Sequence, residues 1–93
     1  MCEEESAANY EVLYSPAAGR DLKKLKNNRL VLRSVDASIR SLEENPRPPG
    51  IEHLGGLMYR KRDGDYRILY EVDDETRRVY IHRVRDRKEV YKH

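Results

Sequence analysis

Tyr59-Arg60-Lys61-Arg62-Asp63-Gly64-Asp65-Tyr66-Arg67-Ile68-Leu69-Tyr70 is the stretch on which the fold turns. It reads as a strand, a tight turn and a second strand. Asp63-Gly64 carries the turn signal, because both central positions of a type I′ hairpin need positive φ. With those two residues as the loop, Arg60 faces Arg67 across the ladder and Arg62 faces Asp65. Side chains alternate along a strand, so Arg60, Arg62 and Arg67 share one face. Like charges set opposite each other weaken a sheet, and an anionic ligand such as a phosphodiester is the simplest reason to keep them there.

Outward from the hairpin, residues 65–73 make a strand with Tyr66, Ile68, Tyr70 and Val72 on its buried face. Asp73-Asp74-Glu75-Thr76 turns the chain into a further strand over 77–84. Continuing the same register pairs Ile68 with Ile81, Tyr70 with Val79, Glu71 with Arg78, Leu69 with Tyr80 and Arg67 with His82. Upstream, Tyr10 to Tyr14 is a strand candidate, and Ser15-Pro16 starts a helix with an N-cap serine and a proline at the first helical position. That helix runs to about residue 26 with Ala18, Leu22 and Leu25 inward. A second spans roughly 29–44, where Leu32, Val35, Ile39 and Leu42 repeat at helical spacing. Pro46-Arg47-Pro48-Pro49-Gly50 ends the helical half, and Leu54-Gly55-Gly56 leads into the strand at 57–62.

The expected fold class is α+β: an N-terminal strand, then a helical hairpin packed on one face of a small, mainly antiparallel sheet, in the order β-α-α-β-β-β. Residues 1–8, with Glu3-Glu4-Glu5, read as an acidic flexible lead, and 9–93 as one domain. Charged residues reach 39% with no Phe or Trp, so the seven tyrosines must build much of a small core. Residues 1–56 hold 8 Lys+Arg against 9 Asp+Glu, a net of −1; residues 57–93 hold 11 against 8, a net of +3. The basic excess therefore lies on the strands, as a polyanion partner requires. Cys2 is the sole cysteine and excludes an internal disulfide. No apolar run approaches a membrane span or signal-peptide core, so the expected location is the cytoplasm.

The open sheet face collects Arg60, Arg62, Arg67, Tyr80 and His82, joined by Arg85, Arg87, Lys88 and Tyr91 from the C-terminal tail. Guanidinium forks bind phosphate in bidentate fashion and stay charged at physiological pH. Tyrosines among them can stack on unpaired bases or carry a proton. No Ser-His-Asp or Cys-His arrangement and no Walker or dinucleotide loop appears, and His53, His82 and His93 lack ligand spacing, so neither cofactor nor metal is expected. Against this stands the plainer reading that a basic face is solvated surface and that Tyr66, Tyr70 and Tyr80 merely pack the sheet.

The hairpin, together with Arg83-Val84-Arg85-Asp86-Arg87-Lys88-Glu89-Val90-Tyr91, Ser15-Pro16, the helix Asp21-Leu22-Lys23-Lys24-Leu25 and Leu54-x-Gly56, resembles the RelE branch of the RelE/ParE toxins over residues 9–92. The resemblance implies the toxin of a type II toxin–antitoxin pair, an mRNA interferase that cuts messages in the ribosomal A site by attack of a 2′-hydroxyl on the neighbouring phosphate, without metal. By position, Arg60 and Arg62 match the family's two basic residues on that strand, Arg67 its phosphate-holding arginine, Arg87 the arginine that balances transition-state charge, and Tyr91 its terminal tyrosine. Arg85, Lys88 and His82 complete the implied RNA-binding set. The partners implied are a small acidic RelB-like antitoxin, mRNA and the ribosome, with operator DNA reached only through the antitoxin. Two alternatives share the fold: a ParE-like inhibitor of DNA gyrase, and a catalytically decayed RNA-binding module. Arg85-Asp86 stand where the family often has glycine and histidine, which removes one acid or base. Lys61 stands at a usually apolar position, which suggests an exposed edge strand.

Overall fold

Ser15 shows how directly the N-terminal signals are realised. In the computed structural model, which describes residues 9–86, its Oγ accepts the Ala18 amide at 3.0 Å, with Pro16 opening the helix behind it. Strand β1 (Glu11–Tyr14) precedes this helix, α1 (Pro16–Lys24); Asn28 caps α2 (Arg29–Ser41) through the Val31 amide. Both helices stop short of the sequence expectation, α1 by two residues and α2 by three, and each remainder turns off the helix axis. The acidic lead expected at 1–8 lies outside the described residues.

Four strands follow: β2 (Glu52–Gly55), β3 (Met58–Asp63), β4 (Tyr66–Asp73) and β5 (Arg78–Asp86). They join β1 in one mixed sheet of order β1-β5-β4-β3-β2, antiparallel except where β1 runs parallel to β5. The fold is α+β, two helices on one face of this sheet. Strand β2 is one more than the sequence suggests. It covers the outer edge of β3, so Lys61 is not on an edge strand. Its ammonium is half-buried and donates to Ser38 O at 3.0 Å and Ser41 Oγ at 2.9 Å, at the end of α2. Lysine is tolerated here because the last carbonyls of a helix lack partners and attract a cation.

The core lies between helices and sheet. Ala18 and Leu25 of α1, and Val35, Ile39 and Leu42 from α2 and its cap, bury against Ile68, Tyr70, Val72, Val79, Ile81 and Val84. Leu22 and Leu32 pack at its margin. Period-two burial on β4 follows the expected inward set, with Ile68, Tyr70 and Val72 fully covered and Tyr66 partly so.

The registers differ from expectation in two places. The β3–β4 hairpin closes on Asp63 and Tyr66, leaving Gly64-Asp65 as its loop, and Arg62 rather than Arg60 faces Arg67. Only Gly64 has positive φ, 60°, as the first central position of a type II′ turn requires. The displacement is two residues, an even number, so every side chain keeps its expected face. On the other side, β5 carries a bulge. Tyr70 pairs with Ile81 and Glu71 with Tyr80, but Leu69 pairs with Arg83, Ile68 with Val84 and Arg67 with Arg85. The expected Arg67–His82, Glu71–Arg78 and Ile68–Ile81 pairs are thus replaced.

The sheet end remote from the hairpin is pinned. Asp74, in the β4–β5 turn, accepts the Tyr10 hydroxyl at 2.6 Å and both terminal nitrogens of Arg47. Arg47 Nε donates to the Tyr59 hydroxyl, and Tyr59 stacks between His53 and Tyr70. The buried Tyr70 hydroxyl donates to Pro46 O at 2.8 Å, and burial pushes its pKa up to about 12. The proline-rich connection is thereby fastened to the sheet, and the hairpin end remains for chemistry.

Candidate RNA-binding face

Three strands each bring one arginine to a single line at the hairpin end. Arg62 of β3, Arg67 of β4 and Arg85 of β5 are consecutive cross-strand partners, and Cα atoms so paired lie about 4.5–5.5 Å apart. Two adjacent like-charge pairs would each weaken an ordinary sheet. Arg67, in the middle, is half-buried, and among the described residues its Nη1 reaches turn carbonyls alone, Tyr66 O at 3.3 Å and Gly64 O at 3.4 Å. Arg62 is exposed. Among the described residues neither has a carboxylate partner, and the expected Arg62–Asp65 pair is not formed. Arg62 and Arg67 can therefore grip an anion with groups that remain cationic at any physiological pH.

The other expected site residues sit differently. Arg60 shares the open face, but its Nε and Nη2 both bind Glu52 Oε1, at 3.1 and 2.7 Å, across β2 and β3. His82 is a neighbour of Glu71 rather than of Arg67: Nε2 lies 3.0 Å from Glu71 Oε1. Arg87, Lys88 and Tyr91 lie outside the described residues. Among the described residues no cluster of three or more His, Cys, Asp or Glu is placed to hold a metal ion, and no helix is long and apolar enough to cross a membrane.

One residue behind the face escapes a sequence reading. Asp21 is 6% exposed. Its Oδ2 accepts Arg83 Nε at 2.9 Å and the Val84 amide at 2.9 Å, while Oδ1 accepts Arg83 Nη2 at 3.3 Å. Burial alone would push its carboxyl pKa up, but the Arg83 and Val84 hydrogen bonds outweigh burial and hold it below the usual carboxylate range. The signal was an acid at position 21, between the core positions 18 and 25, where helical periodicity demands an inward side chain.

Comparison with known proteins agrees with this geometry. The family described as the ParE toxin of the type II toxin–antitoxin system, parDE, matches residues 12–91. Toxin RelG of Mycobacterium tuberculosis is 35% identical over 86 residues, spanning 89% of this chain and 97% of the relative. Among solved structures, a chain of the RelBE2 toxin–antitoxin complex of M. tuberculosis is 32% identical with a TM-score of 0.73, covering 85% of this chain and 99% of its own. The isolated E. coli RelE toxin is 25% identical with a TM-score of 0.73, covering 88% and 90%. A family match over most of the chain and a relative aligned almost end to end agree with the observed fold, and the chain belongs to the RelE/ParE superfamily of type II toxin–antitoxin toxins.

Proposed function

We propose that this toxin is an mRNA endonuclease that works in the ribosomal A site, where a 2′-hydroxyl of the message attacks the adjacent phosphate and expels the 5′-oxygen of the next nucleotide. The observation that carries this reading is the line Arg62–Arg67–Arg85. Arg67 holds the scissile phosphate, Arg62 and Arg85 grip it or its neighbours, and together they stabilise the charge that builds on a pentacoordinate phosphorus. Arg87, Lys88 and Tyr91 follow Asp86, which pairs with Tyr66 at this same end. Arg87 adds charge compensation and Tyr91 a proton donor for the leaving oxygen. Arg60 serves chiefly to shape the face, because Glu52 already occupies its fork.

The assignment to the ribosome is supported by what the described part of the face lacks. Arginine cannot act as a base near neutral pH, and the imidazole of His82 is tied to Glu71. Rate must therefore come from alignment of the 2′-hydroxyl with the phosphate, which a bound, ordered message supplies. In the RelBE2 structure and in the archaeal RelE–RelB complex of Pyrococcus horikoshii, toxins of this fold are joined to RelB antitoxins. We assign this chain a small acidic antitoxin of that kind, which neutralises the basic face, contacts operator DNA for the pair and keeps the toxin silent in the cytoplasm.

Primer-extension mapping of transcripts after induction tests the reading. Cuts phased with codons are expected, and their loss in Arg67→Ala and Arg87→Ala. The second reading, a gyrase inhibitor, is favoured by the ParE description of the matching family; it predicts DNA damage with intact messages. Harmless expression with neither effect would indicate a decayed RNA-binding module.

A further inference from the structure

The arginine line exists only because β5 changes register halfway along. If the pairing set by Tyr70 and Ile81 continued without the bulge, Ile68 would meet Arg83 and Arg67 would meet Val84. Arg85 would then turn to the helix side and Val84 to the open face, since a one-residue slip inverts every later side chain. The extra residue lies just where β1 ends: parallel pairing of β1 with β5 stops at Tyr14 and Ile81. Past that point α1 takes over the β5 backbone. Ser15 Oγ donates to His82 O at 2.9 Å, and Asp21 accepts the Val84 amide together with the Arg83 guanidinium. The two α1 groups bracket the bulge, and the buried carboxylate is the only charged one.

We propose that Asp21 is a positioning residue: its carboxylate, closed on Arg83 and the Val84 amide, holds the β5 bulge that turns Arg85 into line with Arg67. The proposal rests on reading that line as a phosphate site, and Asp21 itself touches no substrate. Its geometry is suited to the task. A side chain on a helix cannot follow the strand if the bulge migrates, so any other register leaves a buried carboxylate without its donors, a costly state. Opposite charge on Arg83 gives the same register its most favourable partner.

The test is the affinity of the purified chain for a single-stranded RNA oligonucleotide, measured against salt. The three contacts of the line contribute roughly −2 to the parent's log–log slope, and losing one flattens it by roughly 0.7. Asp21→Ala is expected to flatten the slope as Arg85→Ala does, and Asp21→Asn, which keeps the shape and one acceptor, to a lesser degree. The double variant Asp21→Ala/Arg85→Ala should bind as Arg85→Ala alone, because the first residue acts through the second. Val35→Ala, a core change on α2, should lower thermal stability and leave the slope at the parental value, which separates positioning from mere destabilisation. Parental slopes in both Asp21 variants, or full additivity in the double variant, would overturn the proposal. Should the parent itself show no salt dependence, the phosphate reading fails instead. The positioning claim is then decided by NMR: it stands if the cross-strand contact between Arg67 and Arg85 weakens in Asp21→Asn, and falls if that contact is unchanged.

Discussion

Arg67 has cationic neighbours on both sides, Arg62 and Arg85, and among the described residues no carboxylate partner. A residue kept in such a place works against the sheet, so its removal should separate activity from stability. Arg67→Ala is expected to abolish growth arrest on induction and to slow message cleavage on ribosomes by roughly 10²–10³-fold, the usual loss for a donor aimed at developing charge. Its thermal midpoint should stay level or rise, since two unfavourable cross-strand pairs disappear; calorimetry checks this. A variant as toxic as the parent would remove Arg67 from the mechanism. Arg60→Ala should cost much less activity, because its fork is spent on Glu52. At this scale the arginines of the hairpin were legible, since strand alternation alone assigns 60, 62 and 67 to one face. Their partners were not: whether Arg60 meets a phosphate or Glu52 depends on β2, whose local sequence is a weak strand signal.

Elements were legible where periodicity and caps agree, as at Ser15-Pro16 and along Val35, Ile39 and Leu42. They failed where tertiary contacts decide. Strand β2 is exposed throughout, preceded by Pro49-Gly50 and ended by Gly55-Gly56; it is held by the Glu52–Arg60 pair and by His53 stacked on Tyr59, neither readable from four residues. The β5 bulge did leave a trace. Its buried residues are Val79, Ile81 and Val84, a step of two followed by a step of three, and the extra residue is the bulge. Two predictions belong here. Tyr70→Phe should cost about 1–2 kcal/mol in urea unfolding, because it leaves the Pro46 carbonyl without its buried donor. The second concerns pH. Asp21 is held below the usual carboxylate range in the folded state. The stability it contributes is complete above its unfolded pKa of about 4 and is lost as pH falls through the lower folded value. Thermal midpoints should therefore drop more steeply below pH about 4 in the parent than in Asp21→Asn.

Across the whole molecule the charge division holds the same message as the site. The segment from residue 57 onward carries the +3 excess and nearly all of the open face. An acidic antitoxin encoded beside this chain should co-purify with it and restore growth when co-expressed; a harmless chain with no such neighbour would count heavily against the toxin reading. Association should weaken with added salt, as complementary charge requires. One more property follows from the parallel seam between β1 and β5, which joins residues 11–14 to residues 78–81. A nascent chain makes β1 early and must wait for β5 before that seam can close, and pairing over such a separation is intrinsically late. Ribosome-bound chains arrested before Arg78 should accordingly be digested by protease, whereas chains extended past Asp86 and clear of the exit tunnel should resist. Synthesis itself thus imposes a delay, during which the chain cannot yet bring Arg85 into line with Arg67.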